Sequence, residues 1–175
     1  MLLLISGSLR TGSVNTKLLR AAAKIYGGDS VLADVNFPLY NGDIEESEGV
    51  PPAVQALSDQ IKNAEAVVIA SPEYNQCLSG VLKNALDWIS RTEGGPWRGK
   101  PVALVNAAAG RTGGARANYS LRLAMAPFQT RLIQGPEVLV ATASTEFDDD
   151  GNLTNERYLK ALTTLMERLK EEARG

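Results

Sequence analysis

Five short apolar runs, spaced along the chain by amphipathic stretches, constrain this sequence more than anything else in it. Leu2 to Ser6, Ser30 to Val35, Ala66 to Ala70, Pro101 to Asn106 and Glu137 to Ala141 read as strands. Several are apolar without alternation, as in strands buried on both faces. Between them the period changes. Val14, Leu18, Leu19, Ala22 and Ile25 recur at helical spacing until Gly27-Gly28 stops them. Pro51-Pro52 suit a helix start, and Val54, Leu57, Ile61 and Ala64 continue it. Val81 to Ile89, Ala115 to Met125 and a last stretch through Tyr158, Leu162, Leu165 and Leu169 are also expected to be helical. Asn36 to Gly49, with Pro38, Asn41, Gly42 and several acids, reads as a long loop.

Strands alternating with helices imply a parallel sheet covered on both faces by right-handed crossovers. Five strands suit an α/β three-layer sandwich of flavodoxin-like type, a five-stranded parallel sheet of order 2-1-3-4-5. In such a sheet a ligand lies beyond the carboxyl ends of the strands, at the switch point between the first and third. The informative segments are therefore Ser6 to Asn15, Ser71 to Ser79 and Ala107 to Arg116.

Composition removes whole classes of chemistry. The 175 residues include no histidine and one cysteine, so neither a Ser-His-Asp nor a Cys-His arrangement can form, and no disulfide can close within the chain. Lys and Arg number 18 against 20 acids, a net charge of −2, which suggests neither nucleic acid nor a membrane surface as partner. The apolar start is too short for a signal sequence, and no run approaches a membrane span, so a cytoplasmic protein is expected.

The first loop, SGSLRTGSVNT, opens a helix, and a helix start favours a phosphate. Ser8, Ser13, Asn15 and Thr16 offer donors and Arg10 a charge-assisted one. Gly7 and Gly12 have the Walker A spacing, but Ser13 stands where the lysine must be, so NTP hydrolysis is disfavoured, and GxGxxG is absent. A monophosphate site and a plain capped helix start both remain open, with Ser13 or Asn15 as cap. The second loop, Ser71-Pro72-Glu73-Tyr74-Asn75, could wall a planar ring such as a flavin, or be an ordinary turn with Pro72 fixing φ. Cys77 follows the third strand and lacks an activating histidine, so it is expected to be a buried, inert small side chain. The third loop, AAAGRTGG, permits close backbone approach and is otherwise unspecific. Asp148 to Asn152 reads as a solvated turn; its spacing is not that of an EF-hand.

GSLRTGSVN (Gly7 to Asn15) and SPEYNQCLSGVLKNALDWISR (Ser71 to Arg91) together resemble the NAD(P)H-dependent FMN reductase family, which includes flavin, quinone, azo-dye and chromate reductases. GRTGGARANYSLR and GPEVLVATASTEFDDDGNLTNE are similar to its third loop and last strand, so the resemblance spans nearly the whole chain. It implies one FMN-binding domain over residues 1–175, with NAD(P)H as co-substrate and a small-molecule electron acceptor. It implies that Ser8, Arg10, Ser13, Asn15 and Thr16 hold the FMN phosphate. Pro72, Glu73, Tyr74, Asn75 and Gln76 would line the isoalloxazine ring, and Gly110 would close the far side. No acid–base residue is implied, because the chemistry belongs to the flavin. A homodimer or homotetramer with the site at the subunit interface is implied, Glu73 and Arg116 matching positions that pair between subunits in some members. Gln76-Cys77 depart from the usual Gly or Tyr followed by Ser, where substrate preference is expected to differ, and Ala108-Ala109 depart from Ser-Pro, a lost hydroxyl that removes one possible flavin contact. A flavodoxin-type electron carrier is the alternative from another class, though such carriers are often strongly acidic; a flavin-free module on the same fold is a third.

Overall fold

A computed structural model describes residues 1–175. Strand β1 (Leu2–Ser6) leads to helix α1 (Val14–Tyr26), then β2 (Ser30–Leu32), α2 (Gly42–Glu48), α3 (Pro52–Asn63) and β3 (Ala66–Ala70). There follow α4 (Gly80–Ile89), β4 (Pro101–Ala107), α5 (Ala115–Met125), β5 (Arg131–Leu132), β6 (Val138–Val140) and α6 (Glu156–Arg174). All strand pairs are parallel, in the order β2-β1-β3-β4-β5, with β6 also against β4. This is the expected flavodoxin-like order.

Every residue of β1, β3 and β4 is buried, which explains their unbroken apolar character. Successive side chains leave opposite faces of the sheet. Leu2 and Leu4 pack with Val68, Val105, Leu18 and Leu165 under α1 and α6. Leu3 and Ile5 pack with Ile69, Leu104, Leu57 and Leu86 under α3, α4 and α5. The three layers follow directly from this alternation. No helix is long and apolar enough to cross a membrane.

Three expectations need correction. The second strand ends at Leu32, not Val35. Ala33, Val35 and Phe37 keep a period of two and are buried, but they fold over onto the α3–α4 side and lie outside the strand. The segment expected as a loop contains α2, which buries no residue and so shows no apolar period. Asn41 Oδ1 caps it, accepting from Asp43 N at 2.9 Å, and Glu45 ties it to the turn after α4 by accepting from Arg91 Nε at 2.9 Å, while also accepting from Tyr40 Oη at 2.9 Å. Arg91 and Tyr40 together hold the Glu45 carboxyl below the usual carboxylate range. Finally, the fifth position is filled twice. Arg131–Leu132 pair with Pro101–Val102, and Val138–Val140 with Val105–Ala107. Pro136, which has no N–H for a ladder, lies between them.

Candidate functional site

The loops after β1, β3 and β4 leave the same edge of the sheet, and buried hydrogen bonds lock them together. Gly7 is the hinge of the first lock. Its N–H donates to Ala70 O at 2.7 Å, and its carbonyl accepts from Ser79 Oγ at 2.6 Å. A Cβ here would sit 2.8 Å from that Oγ, so only glycine permits the approach. Ser79 also caps α4, its Oγ accepting from Leu82 N at 3.2 Å.

Asn15 forms the second lock. It is 2% exposed, and its amide grips both backbone groups of Ala107 at the end of β4: Nδ2 donates to the carbonyl and Oδ1 accepts from the N–H, each at 2.9 Å. Its side chain is therefore committed to β4, and the backbone N–H of Asn15 is the group left facing the helix start. Ser13 is the N-cap of α1, accepting from Thr16 N at 3.3 Å, and Thr16 Oγ1 meets Ser6 Oγ at 2.9 Å. Ser13 is thus the cap, and capping leaves the neighbouring backbone N–H groups available to an anion. The N–H groups of Leu9, Thr11, Gly12, Val14 and Asn15 have no acceptor within the protein. Arg10 is exposed and forms no ion pair. Unpaired N–H groups at a helix start, with a guanidinium and the Ser8 hydroxyl beside them, fit a phosphate monoester.

The second loop is a two-residue hairpin. Tyr74 and Cys77 exchange backbone hydrogen bonds at 3.2 and 3.1 Å, and between them Asn75 and Gln76 both have positive φ, 49° and 67°. This is the backbone of a type I′ turn, which favours Asn-Gly; glutamine at its second position is strained. Pro72 is buried, whereas Tyr74 is 53% exposed and Asn75, Gln76 and Cys77 project outward. Cys77 is thus exposed, contrary to the expectation of a buried side chain, because the turn carries it off the sheet. The N–H groups of Glu73, Asn75 and Gln76 are unpaired within the protein, and with the Tyr74 ring they fit the polar edge and face of a flavin.

Glu73 points elsewhere. Its Oε2 accepts from the backbone N–H of Arg116 and Ala117 at 3.0 and 3.2 Å, capping α5, whose N-cap Gly114 has no side chain to do so. Within one chain Glu73 therefore meets the Arg116 backbone, and no salt bridge joins the two side chains. In the third loop the Gly110 carbonyl accepts from Gly113 N at 3.2 Å and Thr142 N at 3.4 Å, which anchors the loop beside β6. Gly110 itself is exposed at the rim.

Reading the sequence for ligands missed the polar residues that hold the loops: Ser6, Ser71, Ser79, Asn106 and Asn118, each 5% exposed or less. Their signal is a polar residue at the end of an apolar run or inside an apolar helix face. The larger cavities lie elsewhere. One of about 490 Å³ is lined by α4, Trp97 and Phe128, one of about 460 Å³ by Arg131 to Gln134 and the end of α6, and one of about 430 Å³ by α1 and the turn at Asp149 to Leu153. The three loops instead frame an open cleft.

The family model for NADPH-dependent FMN reductase matches residues 1–145. An NAD(P)H-dependent FMN reductase of Pseudomonas aeruginosa is 41% identical over 169 residues, covering 95% of this chain and 91% of that one. A quinone reductase of Escherichia coli is 36% identical, covering 90% of this chain and 86% of its own. Among solved structures, a flavoenzyme NAD(P)H:(acceptor) oxidoreductase from Paracoccus denitrificans superposes with a TM-score of 0.88 at 30% identity, over 99% of this chain and 96% of that one. With strand order, loop geometry and sequence in agreement, the chain belongs to the NADPH-dependent FMN reductase family.

Proposed function

We propose that this chain, residues 1–175 acting as one FMN-binding domain, is an FMN-dependent NAD(P)H oxidoreductase that reduces a small acceptor: a flavin, a quinone, an azo compound or a metal oxyanion. The observation that carries the reading is the convergence of unpaired backbone N–H groups from two loops on one strand edge, beside an unpaired Arg10. Ser8, Arg10, Ser13, Thr16 and the N–H of Asn15 receive the phosphate. Pro72, Tyr74, Asn75 and Gln76 form the ring wall, Glu73 holds that wall to α5, and Gly110 marks the far rim.

Bound FMN supplies hydride acceptance from the nicotinamide and onward transfer to the acceptor, which is why no histidine or other general base is needed. The chain would hold the two partners in turn beside the wall formed by Pro72 to Gln76 and keep the phosphate fixed at the start of α1. The cleft is open, and α5 exposes Tyr119 (55%) and Leu123 (76%). A second copy packed there in a homodimer or homotetramer would close the cleft, with Arg116 free to reach it. The free, exposed Cys77 suits a reducing cytoplasm.

The test is steady-state oxidation of NADPH and of NADH by FMN-loaded protein, with a benzoquinone, an azo dye and free FMN as acceptors. Turnover with at least one acceptor is expected. Protein that binds FMN but oxidises neither nucleotide would be an electron carrier instead, and the proposal would fail.

A further inference from the structure

The ring wall hangs from α5 as much as from the strand it follows. Besides the Glu73 cap, Leu78 N donates to Ser120 Oγ at 2.7 Å. Beneath these lies a buried chain of side chains. Arg122 Nε donates to Asn118 Oδ1 at 2.9 Å, Asn118 Nδ2 to Asn106 Oδ1 at 2.8 Å, and Asn106 Nδ2 to the Ser71 carbonyl at 2.6 Å. Asn106 and Asn118 are fully buried. The Ser71 carbonyl belongs to the peptide that enters Pro72, the first residue of the wall.

The ends of this chain dictate its direction. A carbonyl can only accept and a guanidinium can only donate. Asn106 must therefore turn its NH2 to Ser71, which leaves its oxygen for Asn118. Asn118 must then give its own NH2 and turn its oxygen to Arg122. Reversing either amide would set oxygen against oxygen or N–H against N–H at a buried site. All three hydrogen bonds point the same way and polarise one another.

We propose that Asn106 and Asn118, terminated by Arg122, are positioning residues for the flavin-ring wall: they fix the register between α5 and the Ser71–Pro72 peptide. The proposal rests on the FMN reading above. It separates two halves of the cleft. The phosphate loop is held by Gly7, Asn15 and Ser79, none of which bonds to Asn106, Asn118 or Arg122; Ser79 N meets the Ser71 hydroxyl at 3.2 Å rather than the carbonyl that ends the relay, so loss of the relay should loosen the ring and spare the phosphate.

Three variants test this. Asn118→Asp still accepts from Arg122 but cannot donate to Asn106. Arg122→Met keeps the chain length and loses the terminal donor. Arg122→Gln carries a donor Nε2 at the same distance from the backbone as the arginine Nε. Each apoprotein is titrated with FMN by flavin fluorescence, with inorganic phosphate as competitor, and its melting temperature is recorded. Asn118→Asp and Arg122→Met should bind FMN about tenfold more weakly, with the phosphate competition constant unchanged. Arg122→Gln should stay within about twofold of wild type. The proposal is overturned if Asn118→Asp and Arg122→Met bind FMN as tightly as wild type. It is also overturned if FMN and phosphate weaken by the same factor, the mark of general loosening, or if Arg122→Gln behaves like Arg122→Met. Wild-type protein that takes up no FMN would remove the flavin reading itself, a result distinct from all of these.

Discussion

Replacing Asn15 separates a structural role from a ligand role at the same position. The Asn15 amide makes two hydrogen bonds of 2.9 Å to Ala107, and both residues are buried, at 2% and 1% exposure. In Asn15→Ala both bonds vanish, and the Ala107 N–H and carbonyl are left without partners. Net loss per hydrogen bond is about 1 kcal/mol, and a stranded buried group costs about 1–3 kcal/mol. Because the position lies near the rim, water relieves part of this, and the expected destabilisation is about 2–4 kcal/mol. For a chain of this length that is a fall in melting temperature of about 5–15 °C. Asn15→Asp should be no milder. It keeps an acceptor for the Ala107 N–H but sets a carboxylate oxygen against the Ala107 carbonyl. The favourable helix N-terminus offsets only about 0.3–1 kcal/mol of that. The assay is urea unfolding of the apoprotein, so that no ligand contributes. If Asn15→Ala changes apoprotein stability by less than about 0.5 kcal/mol, the clamp is not structural and the reasoning is wrong.

Other perturbations follow from the geometry. Gly113 has φ +61°, and a Cβ there would run into the Leu139 carbonyl, so Gly113→Ala should cost more than about 3 kcal/mol; an unchanged thermal melt would contradict this. Gln76 holds φ 67° in the hairpin, and Gln76→Gly should raise stability by about 0.5–1 kcal/mol in urea, the relieved strain exceeding the added chain entropy; a clear loss would refute the strain. Burial, with Glu65 nearby, pushes the Tyr26 hydroxyl from 10.0 up to about 12. The unfolded chain then gives up this proton at lower pH than the folded one. The stability involved is intact below pH 10 and is lost as pH rises towards about 12. Denaturation of wild type and Tyr26→Phe across that range should therefore show a shallower alkaline decline in the variant.

How much of this was legible in the sequence depended on whether a residue's role leaves a pattern. β1, β3 and β4 announced themselves because residues buried on two faces must all be apolar. α1 was bounded correctly because Ser13 and Gly27 are capping residues in the expected places. α2 was invisible because it buries nothing, although Asn41 followed by Asp43 and Glu45 is a helix-start signal. Cys77 departs from the sequence expectation because a free cysteine is usually buried, and nothing local reveals that Asn75-Gln76 form a tight turn that lifts it outward. At the cleft, the loops and Arg10 were readable from position and donor type. The roles of Asn15 and Glu73 were not, since each polar side chain meets a backbone group 92 or 43 residues away, a pairing that only the fold creates. Asn106 sits within an apolar strand and Asn118 within a helix, and each stands out once burial is known.

The most direct test of the account is to load the apoprotein with FMN, remove oxygen and add one equivalent of NADPH or NADH. FMN should bind, Arg10→Ala should weaken this binding without lowering the stability of the apoprotein, and the visible band of the bound oxidised flavin should bleach within the mixing period. A protein that stays colourless after incubation with FMN, or one whose bound flavin stays oxidised in excess of both nucleotides, would contradict it.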